Sequence, residues 1–139
     1  MTQIFAYIPF NNGVAEDIAL EYPSAAGKID AGASLTAVVT GSGPDLDKVA
    51  NDMTSIYSQV IKIDHADLAY PNADIVRKAL KNILPSDAVF LIAHNTFGMD
   101  LGPGLSVKLD CAYAADIVDF EGIDGTTLKA VRQELGGAV

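Results

Sequence analysis

DAVFLIAHNTFGMDLGPGLSVKLDCAYAADIVDFE, residues 87–121, carries the clearest statement of how this chain folds. Residues 88–93 form a short, continuous apolar run rich in β-branched and aromatic side chains. A strand apolar on both faces is covered on both sides, which is the habit of parallel sheets. His94, Asn95, Thr96 and Gly98 follow, then a segment with helical spacing, then a second strand-like run. In open α/β sheets, ligands and partners gather at the carboxyl ends of such strands. His94, Gly98 and Asp100 are therefore expected on the functional edge.

Working outward from this stretch, strands alternate with helices. Residues 3–10 (QIFAYIPF) read as the first strand, and Asn11-Asn12-Gly13 is a turn signal. Val14, Ile18, Tyr22, Ala25, Ala26 and Ile29 then recur at spacings of three and four, predicting a helix that Pro23 interrupts and restarts, with residues 23–31 its more regular half. Residues 34–40 (SLTAVVT) are the second strand, ended by Gly41-Ser42-Gly43-Pro44. Pro44 suits a helix N-terminus, and Leu46, Val49, Ala50 and Met53 make one apolar helix face. Residues 58–64 are the third strand. Asn72 is placed to cap a helix whose apolar face is Ile75, Val76, Ala79, Leu80 and Ile83.

Downstream, residues 88–93 are the fourth strand, 98–109 the fourth helix with Pro103 near its start, and 112–120 the fifth strand. A turn at 122–126 leads to a sixth strand near 128–135. With right-handed crossovers this alternation predicts a three-layer α/β/α fold with a mostly parallel sheet. The last two runs are close enough to pair antiparallel at an edge. The class is α/β, Rossmann-like, and the length suits a single domain over residues 1–139.

Composition narrows the function. Eighteen Asp and Glu against nine Lys and Arg give a net charge of −9, which excludes the basic footprint that nucleic-acid binding needs. The acidic surface serves solubility, or docking to a basic partner. No apolar run approaches the ~20 residues of a membrane span. The amino-terminal residues lack a basic leader and enter a strand at once, so neither a signal peptide nor a transit peptide is expected. Cys111 is the only cysteine, which rules out an intrachain disulfide and a cysteine metal cluster. Its apolar neighbours suit a buried, inert thiol, and a reducing, cytoplasmic compartment fits.

The candidate chemistry is sparse. Gly41 and Gly43 lie between a strand and a helix, where backbone N–H groups could cradle a phosphate. The segment lacks both the G-x-G-x-x-G and the G-x-x-x-x-G-K-[ST] spacing, so a plain turn is the simpler reading. His65 and His94 each lie just beyond a strand, without HxH or HxxxH spacing, and no metal site is expected. There is no G-x-S-x-G elbow. Asp45 and Asp47, or Asp116 and Asp119, sit at helix starts or strand ends, where a carboxylate already has a structural use. No catalytic residue is assigned.

Residues 95–109 (NTFGMDLGPGLSVKL) resemble the G-R-D-L-[AS]-P-x-[LV]-A-x-x-L segment of electron transfer flavoprotein alpha subunits. Gly98, Asp100, Leu101, Pro103 and Leu109 agree in order. The resemblance continues through LDCAYAADIVDFE, which sets Asp116 on the family aspartate, and through LKAVRQELGGAV, with Arg132 and Gly136-Gly137 in register. Upstream it takes in LTAVVTGSG, ALEYPSAAGKI and VIKIDHADLAY. Met99 stands where the family has arginine, and Gln133 where it has proline.

The resemblance implies the N-terminal domain of an alpha subunit, a scaffold within an FAD-dependent heterodimeric electron carrier. Such a carrier takes electrons from acyl-CoA-type dehydrogenases and delivers them to a quinone-linked or ferredoxin-linked acceptor. It implies a beta subunit as partner, AMP in that subunit, and FAD held mainly by a C-terminal domain of the alpha subunit. The chain stops at Val139, before any motif of that second domain, so it is expected to be an N-terminal piece, incomplete at its C-terminal end, rather than a divergent short relative. The alternative is a stand-alone module binding AMP or ATP at Gly41, Gly43, His94, Gly98 and Asp100. A small α/β enzyme using His94 or Asp100 is the third reading.

Overall fold

The computed structural model describes residues 3–68, 73–85, 88–93, 96–109, 117–124 and 127–132. In chain order these hold β1 (Gln3–Tyr7), β2 (Phe10–Asn11), β3 (Val14–Ala15), α1 (Ile18–Ile29), β4 (Ser34–Gly41), α2 (Pro44–Met53) and β5 (Gln59–Asp64). A 3₁₀ turn (Ala66–Leu68) precedes α3 (Ala73–Ile83), and β6 (Val89–Leu91), α4 (Thr96–Leu109), β7 (Ile117–Asp124) and β8 (Thr127–Arg132) follow.

The main sheet is four-stranded and wholly parallel, in the order β5-β4-β1-β6. Residues Ile4 to Ile8 are all buried, because the strand they belong to is covered on both faces. Ile4, Ala6 and Ile8 join Ala37 and Val39 in a core closed by α1 and α2. Phe5, Tyr7 and Val38 face the other way, into a core closed by α3 and α4 through Val76, Leu80, Leu101 and Leu105. This is the expected α/β class, three-layered and Rossmann-like. Period-two alternation in β1 and β4 sorts one sequence into two cores.

The first strand is shorter than residues 3–10 suggested. The Ile8 amide donates to Val38 O at 3.0 Å, and Pro9 then has no N–H to continue the ladder. The chain turns into a small antiparallel hairpin, with Phe10 opposite Ala15 and Asn11 opposite Val14. Asn12 (φ 53°) and Gly13 (φ 76°) form its two-residue loop, both at positive φ as a type I′ turn requires. Val14 is thus a strand residue, and the helix begins at Ile18.

Pro23 does not restart the helix; α1 runs through it. Proline leaves the carbonyl four residues earlier, that of Ala19, without its helical donor. The Tyr57 hydroxyl fills that role, donating to Ala19 O at 2.7 Å in the buried core. A side chain from beyond α2 replaces the missing backbone N–H, so the break that the local sequence calls for does not occur.

Other differences are smaller. α4 begins at Thr96 and Pro103 lies well inside it. β6 is confined to Val89–Leu91, within the predicted 88–93. Residues 117–124 and 127–132 do pair antiparallel, but as their own two-stranded sheet instead of the edge of the main one. Register shifts at Ile117/Asp119 and Phe120/Gly122 break the regularity of this ribbon. It lies against α1, where Phe120 packs on the core and a Cβ at Gly122 (φ 114°) would stand 3.9 Å from the carbonyl oxygens of Lys28 and Ile29. On the opposite side, Gly104 lets α4 approach α3. A Cβ there would lie 2.6 Å from the guanidinium carbon of Arg77. The expected Asn72 cap, Cys111 and the start of the predicted fifth strand lie outside the described residues.

Tyr57→Phe is expected to destabilise the chain by about 1–3 kcal/mol, the cost of a buried carbonyl left without a donor. In a Pro23→Ala background the restored N–H supplies the bond, and the same substitution then costs much less. Urea denaturation of the four proteins of this cycle measures the coupling.

Burial also lifts the phenols of Tyr22 and Tyr57 well above their ordinary 10.0. Below pH 10 they are protonated whether the chain is folded or not, so their contribution to stability is complete. Above it, only the unfolded chain ionises freely, and stability falls as pH rises. Urea midpoints between about pH 8 and about pH 11 are expected to decline, and to decline less steeply in Tyr22→Phe.

Candidate functional site

In strand order β5-β4-β1 matches one half of a doubly wound sheet and β6 begins the other, so the order reverses between β1 and β6. Such a reversal opens a crevice at the carboxyl ends of the strands, where ligands bind in this architecture. Two described βα connections meet along this edge, the hairpin after β1 and the Gly41-Ser42-Gly43 loop after β4, and β6 ends on the same side of the sheet.

The β4–α2 loop is the best-described part. Gly41 ends β4 and is buried. A Cβ on it would stand 3.1 Å from Phe10 Cζ and 3.7 Å from Leu46 Cδ1, so the β2 phenyl ring rests on the loop at the position glycine leaves open. Gly43, with φ 85°, occupies the cap position of α2 and is exposed, with open space around it. Pro44 is the first helical residue, and Asp45 and Asp47 lie in the first turn. Their negative charge already complements the positive end of the helix and opposes a second anion there.

The cations on and beside α2 are engaged. Lys48 Nζ donates to Gly13 O at 2.9 Å and pairs with Asp52 at 3.0 Å, pinning the hairpin to the helix. Lys62 pairs with Asp47 at 2.6 Å. That hydrogen bond, with the attraction of the same carboxylate, holds the ammonium above its ordinary range. The loop therefore joins a glycine-capped helix N-terminus to an acidic lining, with the neighbouring cations Lys48 and Lys62 paired.

Beneath the edge, Tyr7 Oη and Thr40 Oγ1 share a buried 2.8 Å hydrogen bond linking the ends of β1 and β4. Burial raises the Tyr7 phenol and the bond to Thr40 partly offsets the rise. Beyond β5, the His65 amide donates to Gly41 O at 3.0 Å. Its Nδ1 accepts from the Asp67 amide at 3.0 Å, so this histidine shapes its own turn. No trio of His, Cys, Asp or Glu able to hold a metal forms among the described residues.

The other candidates are placed only in part. Gly98 and Asp100 lie in the first turns of α4, which begins just past the end of β6. His94 lies outside the described residues. Farther along α4, Leu101 and Leu105 are buried in the core beneath α3. The structure thus brings Gly41 and Gly43 together at one loop, and Gly98 and Asp100 together on one helix. Sequence reasoning missed the hairpin and Phe10's cover over Gly41. The Asn-Gly dipeptide between Phe10-Asn11 and Val14-Ala15 was the available signal.

No helix among the described residues is long and apolar enough to cross a membrane. Comparison with known families gives one domain match, to the electron transfer flavoprotein domain, over residues 5–139. No curated protein matches the chain significantly.

Gly41→Ala is expected to cost about 1–3 kcal/mol by overpacking against Phe10. Phe10→Leu, which withdraws the ring, should recover part of that loss. Thermal unfolding of the single and double variants checks both effects.

Proposed function

The chain belongs to the electron transfer flavoprotein domain family, and from that membership we propose that it serves as the N-terminal domain of an alpha-type subunit in a cytoplasmic, heterodimeric electron carrier. Its role is assembly: it docks a beta-type subunit and supports the part of the carrier that holds FAD. The carrier draws electrons from acyl-CoA-type dehydrogenases and passes them to a quinone-linked or ferredoxin-linked acceptor. AMP, where present, belongs to the beta-type subunit. The observation that carries this reading is the family match over residues 5–139. The alpha assignment rests on the order of Gly98, Asp100, Leu101, Pro103 and Leu109 along α4.

The β4–α2 loop does not fit a pyrophosphate. A pyrophosphate needs unopposed N–H groups and free positive charge. The α2 N-terminus offers Asp45 and Asp47 instead, Lys48 and Lys62 are paired, and Phe10 covers Gly41. Within the carrier, flavin supplies the redox chemistry, and the protein sets its position and surroundings. This chain's own contribution is a rigid two-faced sheet on which a second subunit can be held at a fixed distance from the cofactor.

Calorimetric titration of the purified chain with FAD, AMP and ATP tests the proposal. No heat of binding from any of the three is expected. Saturable, micromolar FAD binding would overturn the scaffold role. Micromolar AMP or ATP binding would favour a nucleotide module at Gly41, Gly43, His94, Gly98 and Asp100.

A further inference from the structure

On the α1/α2 side of the sheet an open hollow of about 200 Å³ lies between β3, the start of α1 and the end of α2. Its floor is apolar and buried, made by Ala19 and Met53. Two of its walls are large aliphatic side chains that folding leaves in water: Val14 is 62% exposed and Leu20 is 65% exposed. Scattered exposed aliphatics are ordinary, but these two face one concavity. Glu16, Asp17 and Asp52 complete the lining.

The three carboxylates differ. Asp52 is paired with Lys48. Asp17 occupies the cap position of α1, yet its side chain makes no capping bond. Neither it nor Glu16 forms an ion pair with a described residue. The hollow therefore presents apolar walls beside two carboxylates that form no ion pair among the described residues.

We propose that this hollow is a docking site for a partner protein that presents one aliphatic side chain flanked by lysine or arginine. Charge decides the occupant. A second copy of the chain carries −9 and would bring acid to acid. A nucleotide or flavin phosphate is repelled by the same carboxylates. Size agrees: ligand pockets span about 300–1,000 Å³, so this hollow suits a side chain better than a cofactor. The hairpin that forms one wall is held against α2 by the bond from Lys48 to Gly13 O, so the concavity is built before the partner arrives. The inference stands apart from the assignment to an alpha-type subunit, since it uses only this surface.

The test is NMR titration of the isotopically labelled chain with three short peptides. One carries a single leucine flanked by arginines, one has serine in place of the leucine, and one has glutamates in place of the arginines. The first is expected to give saturable amide shifts confined to residues 14–20 and 52–53. Leu20→Ser should weaken it roughly ten-fold, through loss of apolar burial. Glu16→Gln and Asp17→Asn should each weaken it about three-fold and reduce its salt dependence. All three positions are exposed, and unchanged melting of each variant verifies the fold. Equal shifts from the serine or glutamate peptide, shifts mapping elsewhere, self-association through these residues, or no response to any peptide would overturn the proposal.

Discussion

The structure depends on β1 being buried on both faces. Ile4, Ala6 and Ile8 point into the core under α1 and α2, while Phe5 and Tyr7 point into the core under α3 and α4. The same strand hydrogen-bonds β4 on one side and β6 on the other. A single short segment thus anchors two cores and joins the halves of the sheet. Parallel sheets require this double cover, because each crossover helix must lie on one face or the other. It also places the reversal of strand order, and with it the candidate crevice, beside the last residues of β1.

Tyrosine hydroxyls complete what the backbone leaves undone. Tyr57 reaches Ala19 O in place of the N–H that Pro23 lacks, and Tyr7 closes a buried pair with Thr40. In both cases a long side chain carries a polar group through an apolar layer to a partner that would otherwise be costly to bury. The two bonds connect elements far apart in sequence, 38 and 33 residues respectively. They tie local chain geometry to the finished fold.

That distance explains what the sequence could and could not show. The strand–helix alternation, the Asn-Gly turn, Pro44 at the start of α2 and the Leu46/Val49/Met53 face are local signals, and the structure carries all of them. Pro23 is the contrary case: local propensity calls for a break, and a tyrosine from beyond α2 removes the need. Val14 matched a helical period by position alone, yet Pro9 and the positive-φ pair Asn12-Gly13 had already committed it to a hairpin. Residues 117–132 had the pattern of paired strands, but pattern does not say which sheet a ribbon joins. At the candidate site the loop glycines were legible as a strand-to-helix turn. Phe10 over Gly41, and the pairing of Lys48 and Lys62, arise only from packing.

The match to the electron transfer flavoprotein domain sets this chain among electron-transfer proteins, and the supporting role proposed for it draws on the acidic end of α2 and the two-faced sheet. Sedimentation velocity of an equimolar mixture of this chain with a beta-type electron transfer flavoprotein subunit addresses that role most directly. A single faster species containing both proteins in equal amounts is expected if the chain docks a beta-type subunit. Two separate boundaries, each at the rate of its own component, would contradict it.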